Sequence, residues 1–357
     1  MYKVRIKKPN RRQIVQIAVV AACLLLWLVL QLVRTHTIRS VGDIRGAERF
    51  APEGGYAQIG CYFADTAGAS IDRYSEFSFL IDQALTQNAI EAKEPDARLF
   101  VDCYTVEGAV TISRAGKNAE ATAIGTGGDF FFLHPLELVS GQYYSPDALT
   151  EDQILIDEHL AWQLFGGNDV AGLSVNIGGK PHIVRGVVRR AEGRLREKAG
   201  AFEALVWLPA ESLRENGMLR AGNESMTCYE VVMPDPVRDF AVTQVREAFR
   251  MEEGQAEIID HTTRFSNFRL LDVLREYDIR SMMNQAIRYP YWENIARSRE
   301  DFLALVMVLQ ALFLAIPIVL LTVKIVCAYR NKTWRAAEVF SGIGDCIYGM
   351  RVKRKKT

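Results

Sequence analysis

Two stretches of the chain carry no charge at all. Ile14 to Val33 is twenty residues long and Phe302 to Val323 is twenty-two. At about 1.5 Å per residue, a helix of either length spans the roughly 30 Å hydrocarbon core of a bilayer. The pattern predicts membrane helices at 14–33 and 302–323. The first run is longer than a signal-peptide h-region, and Val33, Arg34, Thr35 and His36 offer no small-residue cleavage site. It reads as an uncleaved anchor. Pro317 in the second run fits a kink or an ordinary membrane-helix proline equally.

Between the two runs the pattern alternates between periods of two and of 3.6. Ala57 to Phe63 reads as a strand. A helix capped by Ser75 follows, with Phe77, Leu80, Ile81, Ala84 and Leu85 on one face and Pro95 as its stop. Leu99 to Val106 is a second strand. Thr227–Met233, a helix over 236–250 with Phe240, Val245 and Phe249 inward, and Glu257–Asp260 repeat the theme. These strand–helix–strand units predict the halves of an α+β domain. A glycine-punctuated β-rich insert, roughly 125–226, separates them. Within it Asp157 caps a helix ending at Gly166, and Gly178-Gly179 forms a two-residue hairpin turn. Residues 265–300 read as a stalk or interfacial segment, helical over Phe265–Ala286, with Phe265, Phe268, Leu271, Leu274 and Tyr277 on one side. Tyr289, Tyr291 and Trp292, about ten residues before the second run, suit the headgroup region or a loop packed on the domain.

Charge sets the orientation. The formal net charge is zero, but residues 1–13 carry six basic side chains and no acid, and 324–357 carry nine basic and two acidic. Basic flanks stay in the cytoplasm. The expected layout is a cytoplasmic N-terminus (1–13), an extracytoplasmic domain (34–301) and a cytoplasmic tail (324–357). Basic ends around an acidic middle exclude a nucleic-acid binder, whose charge would gather on one folded face. Of six cysteines, only Cys61, Cys103 and Cys228 lie in the outer domain. An odd number rules out a full disulfide framework; the three read as small buried apolar residues, with a single bridge left open.

Catalytic motifs are missing. Lys117 and Lys180 follow glycines without a Ser or Thr after them, so there is no Walker A loop and no ATP hydrolysis is expected. Gly172-Leu173-Ser174-Val175 runs into Asn176 and is no nucleophile elbow. His36, His134, His159, His182 and His261 are scattered, and Asp157-Glu158-His159 lacks the second histidine of a zinc-protease helix. Acidic residues read by default as solvated. No catalytic residue, cofactor or metal site is expected.

Three segments resemble the periplasmic core domain of MacB-type and FtsX-like ABC transporter permeases. Gly127-Gly128-Asp129-Phe130-Phe131, continuing to Leu138–Gln142, is similar to the family's "s.dff…l.l.sGr.f". Gln153–Ala161 through Leu164–Gly167, then Val170-Ala171-Gly172 and Val175, resembles "vvis…a..lfgg…vGk.v". Ile177–Lys180 through Ile183–Val188 resembles "l.g..f.VvGVv", and Val206-Trp207-Leu208-Pro209 resembles "vyiP". The resemblance implies a membrane-anchored α+β domain that moves when a cytoplasmic ATPase dimer closes. Such permeases usually carry four membrane helices where this chain has two. That leaves a split subunit, an accessory or a relic, with a further permease subunit or a second copy as partner. Trp334, Arg335, Glu338, Phe340 and Gly344 fall where the family places its coupling helix, which docks on the ATPase; a helix on anionic lipid is the competing reading. The implied function is a non-catalytic subunit coupling a separate ATPase to an outer domain that handles a peptide or lipid-like substrate. The alternative is an envelope sensor or scaffold without transport.

Overall fold

The computed structural model describes residues 10–92, 97–145, 152–189, 204–220, 225–252, 254–277 and 287–330. In chain order its elements are α1 (Arg11–Arg39), α2 (Gly46–Phe50), β1 (Tyr56–Phe63), α3 (Tyr74–Gln87), β2 (Val101–Arg114), β3 (Lys117–Gly128), α4 (Phe130–Leu133), β4 (Leu138–Gly141), β5 (Gln153–Asp157), α5 (Glu158–Phe165), β6 (Ser174–Ile177), β7 (Lys180–Val188), β8 (Ala204–Pro209), α6 (Ala210–Glu215), β9 (Cys228–Pro234), α7 (Phe240–Phe249), β10 (Ala256–Asp260), α8 (Asn267–Arg275) and α9 (Tyr291–Arg330). The chain divides into two compact units, Met1–Arg34 with Val306–Thr357 and Thr35–Leu305.

In the larger unit the two strand–helix–strand segments interleave. The strand order β10-β1-β9-β2 is antiparallel throughout, the order of a ferredoxin-like split βαβ pair. Phe77, Ile81 and Leu85 of α3, and Ala241, Val245 and Phe249 of α7, are buried against one face of this sheet. Ser75 does not cap α3. The entry is a 3-10 turn, Ile71–Arg73, capped by Ser70, whose hydroxyl accepts from the Asp72 amide. The helix ends at Gln87, and Pro95 lies outside the described residues.

The β-rich segment joins through β2, which runs on to Arg114, eight residues past the strand end suggested by the sequence. It pairs with β3 along its length across a turn at Ala115 and Gly116, both at positive φ (48° and 81°). The order then continues β3-β8-β5-β7-β4, and β6 pairs with both β7 and the end of β2. Strands β2, β3, β8, β5, β7 and β6 therefore close a ring, which removes exposed edges. The ring takes in β3 from Lys117, ahead of the boundary near 125 suggested by glycine punctuation. Gly178 and Gly179 form the expected turn, at φ 59° and 81°. Asp157 caps α5 through Leu160 N (2.8 Å), accepts from Leu205 N as well (3.1 Å), and Gly166 ends the helix at φ 83°.

In the smaller unit, the apolar windows of α1 and α9 have mean hydropathies of 2.5 and 2.7. Leu25, Leu32 and Val319 are among many large apolar side chains left exposed there, as lipid-facing positions are. Gln310 is buried, and its Nε2 donates to Gln31 Oε1 at 3.0 Å. An amide in hydrocarbon needs such a partner.

Candidate functional site

Strand alternation sends Tyr62 of β1 and Glu230 of β9 to the sheet face opposite α3 and α7. The first turns of α9 lie on that face, with Glu293, Arg297 and Glu300 at i, i+4 and i+7. His261 and Arg264, from the loop after β10, complete the group. All of these side chains are buried.

Arg264 holds the centre. Its Nη1 and Nη2 donate to the two oxygens of Glu293, each at 2.6 Å, and its Nε donates to Glu300 at 2.6 Å. Arg297 Nε donates to the same Glu293 at 2.9 Å and Nη2 to Glu257 on β10 at 2.7 Å. Burial alone would raise the Glu293 pKa, but Arg264 holds its carboxyl well below the usual range. Burial works against Arg264 too, and Glu293 with Glu300 more than offsets it.

A second half surrounds Glu230. His134, just after α4, contacts Glu230 through Nε2 and Asp43 through Nδ1 (3.1 Å). Burial would lower the His134 pKa; Glu230, seconded by Asp43, instead carries it up to about 9. Burial would raise the Glu230 pKa, and His134 depresses it far below the ordinary value. The Tyr62 hydroxyl joins the halves, lying 3.3 Å from Glu230, 3.1 Å from Glu293 and 3.1 Å from His261 Nε2. His261 Nδ1 accepts from Arg264 at 3.1 Å, which assigns its proton to Nε2. Gly60 leaves the room: a Cβ there would stand 2.6 Å from His261 Nε2 and 3.0 Å from the Tyr62 oxygen.

Cys103, His134 and Glu230 also place three possible metal donors within 4.8 Å of one another. Their chemistry does not suit an ion. Both His134 nitrogens face carboxylates, and burial and then Glu230 push the Cys103 thiol well up. The set is an ion pair beside a protonated thiol. Cys61, Cys103 and Cys228 are all buried and free.

The arrangement is a set of buried, hydrogen-bonded ion pairs. It fastens the root of α9 to the sheet through ion pairs to the loop after β10 and to β10, and through Tyr62 to β1. The sequence reading missed it by treating acidic residues as solvated and histidines as scattered. Two signals were available: Glu230 within the apolar run Cys228–Met233, and the one-sided spacing of Glu293, Arg297 and Glu300. Of the expected interface aromatics, Trp292 is buried with its ring 4.7 Å from that of His134. Tyr289 is buried under Arg297 at 3.7 Å and donates to Glu257. Tyr291 is half-buried. Trp334, Arg335, Glu338, Phe340 and Gly344 lie outside the described residues.

Residues 18–260 match the family model described as the MacB-like periplasmic core domain. The chain is 26% identical over 129 residues to the macrolide export ATP-binding/permease protein MacB of Vibrio parahaemolyticus serotype O3:K6 (strain RIMD 2210633). That match covers 35% of this chain and 19% of the relative's length. Among solved structures, the chain is similar to the periplasmic region of MacB from Actinobacillus actinomycetemcomitans, with 15% identity over 63% of this chain and 93% of that one, and a TM-score of 0.39. It is also similar to the extracellular domain of the ABC-type transporter YknZ from Gram-positive bacteria, with 14% identity over 57% of this chain and 99% of that one, and a TM-score of 0.37.

Proposed function

The chain belongs to the MacB-like periplasmic core domain family, and from that premise we propose that it is a membrane subunit of an ABC transporter in which α9 carries motion between a cytoplasmic ATPase and the outer domain. The observation that carries this reading is the buried cluster of Arg264, Glu293, Arg297 and Glu300, because it ties the sheet to a helix unbroken from Tyr291 to Arg330. A buried ion-pair network resists sliding of the helix root, so displacement along α9 reaches β1 and β10 instead of dissipating in a loop. The ATPase is a separate chain, both termini are cytoplasmic, and a further permease subunit or a second copy completes the membrane part. The substrate is peptide or lipid-like. Trp334, Arg335, Glu338, Phe340 and Gly344 dock on the ATPase in this scheme.

The test is native purification and identification of what accompanies the chain, with Trp334→Ala and Glu338→Lys alongside. An ABC ATPase with the unaltered chain, lost from variants that still insert, is the expected result. Recovery of an envelope enzyme or kinase and no ATPase would turn the assignment to a sensor or scaffold.

A further inference from the structure

The side of residues 265–277 that carries Phe265, Phe268, Leu271, Leu274 and Tyr277 is only partly covered: Phe265 is buried and Leu274 half-buried. Leu270 and Val273 point inward. Phe268 is 75% exposed, Leu271 45% and Tyr277, just past the helix end, 55%. Phe268, Leu271 and Arg275 stand at i, i+3 and i+7, so two apolar groups and a cation share one outward face. A phenyl ring and a neighbouring leucine held open to water call for a partner.

The position of α8 says which one. A cleft of about 160 Å³ is lined by Arg269 and Asp272 of α8, by Glu276 just past its end, and by Arg297 and Glu300 of α9. This sets α8 beside α9 at the level of residues 297–300. The uncharged run begins at Phe302, two residues beyond Glu300, or about 3 Å further along the helix axis. Phe302 and Leu305 are themselves exposed at that level. Helix α8 therefore lies beside α9 within about one helical turn of the start of the uncharged run. Arg275 accompanies its exposed face with the guanidinium paired to Asp272 at 3.2 Å, so the face rests on its apolar groups rather than on net charge.

We propose that α8 is an interfacial helix whose Phe268–Leu271–Arg275 face rests on the lipid surface of the outer leaflet beside the root of α9. The helix then braces the domain against the bilayer at the point where the buried cluster fastens α9. The proposal rests on the membrane beginning near Phe302, and the experiment separates that premise from the role of α8.

The full chain, with Cys327 and Cys346 replaced by Ser and the buried Cys23, Cys61, Cys103 and Cys228 kept, is given one accessible cysteine by Phe268→Cys, Leu271→Cys, Leu305→Cys or Phe79→Cys, with the chain lacking these additions as the labelling blank. Each is labelled with an environment-sensitive nitrobenzoxadiazole dye and reconstituted in vesicles of phosphatidylcholine and phosphatidylglycerol. Phe79, 62% exposed on α3, is the aqueous reference. Brominated lipid should quench the dyes at 268, 271 and 305, and iodide should quench those at 268 and 271 several-fold less than the dye at 79. A dye at 268 as open to iodide as that at 79, with the one at 305 quenched by lipid, overturns the role of α8 alone. Dyes at 268 and 271 shielded from both quenchers would mean that protein covers the face, and the proposal falls. A dye at 305 untouched by brominated lipid removes the premise and the proposal together.

Discussion

Glu293→Ala is the sharpest test of the buried cluster. The carboxylate is fully buried and takes two hydrogen bonds from Arg264 at 2.6 Å, one from Arg297 at 2.9 Å, and lies 3.1 Å from the Tyr62 hydroxyl. Removing it leaves Arg264 with Glu300 and Arg297 with Glu257. Arg264 is itself buried, so bulk water cannot replace the lost partner. Breaking one side of a buried ion pair costs about 3–5 kcal/mol, most of it the uncompensated charge. For a unit of this size, roughly 2 °C of Tm corresponds to each kcal/mol, so a fall of about 6–10 °C is expected.

The assay is thermal unfolding of the full chain in detergent, read by circular dichroism. Arg45→Ala is the control: its partner Glu48 is one turn away on the surface, and such exposed pairs contribute about 0.2–1 kcal/mol. Hydrogen exchange localises the effect. If the root of α9 opens on its own, amides over 291–301 should lose about 100-fold protection, the equivalent of roughly 3 kcal/mol. A Tm shift no larger than that of Arg45→Ala, with exchange at the root unchanged, would refute the claim that these charges hold α9 to the sheet.

The pairing of His134 with Glu230 predicts a pH window. The His134 pKa is raised to about 9, so its contribution is complete below the unfolded value of about 6.5 and disappears as pH rises through 9. That contribution is about 3 kcal/mol, and Tm should fall between pH 7 and 10 in the native chain but stay flatter in His134→Gln. Glu230 works in the other sense, losing its contribution as acid protonates it below the ordinary carboxylate range. Gly60→Ala should destabilise by about 1–3 kcal/mol through the clash with His261 and Tyr62, with an altered near-ultraviolet tyrosine signal. Asp102→Ala should cost about 2–4 kcal/mol, because Tyr74 (2.9 Å), Tyr229 (2.7 Å) and Ser78 all donate to that buried carboxylate; chemical denaturation measures the loss.

The legible parts of this protein were those written within a few residues of one another. Ile14–Val33 and Phe302–Val323 announced themselves by run length, the Asp157 cap and Gly166 by helix-end chemistry, and Gly178-Gly179 by turn chemistry. The same local reading carried both strand–helix–strand segments; it ended β2 at Val106 and so passed over the local β2–β3 hairpin at Ala115-Gly116, and it could not see β6 close the ring, because Ile112 and Ile177 are distant in sequence. For the same reason, the burial of Glu293, Arg297 and Glu300 was not read from the sequence, where acidic residues count as solvated by default. Their partners arrive from β1, β10 and the loop after β10, and no periodicity points to them. From Phe265 to Tyr277 the apolar spacing named a side of the helix without saying what covers it: Phe265 is buried while Phe268 and Leu271 are exposed. The physical case for charge at the root of α9 follows from what an apolar root lacks. Leucines there would bury as much surface, yet they would pack nearly as well after the helix slid by one turn, about 5.4 Å. The same slide here would bring Arg297 to the place of Glu293, against Arg264, where two buried guanidinium groups cannot share a site. The cluster therefore admits one axial register of α9, which is the property a helix needs if its displacement is to be read by the sheet.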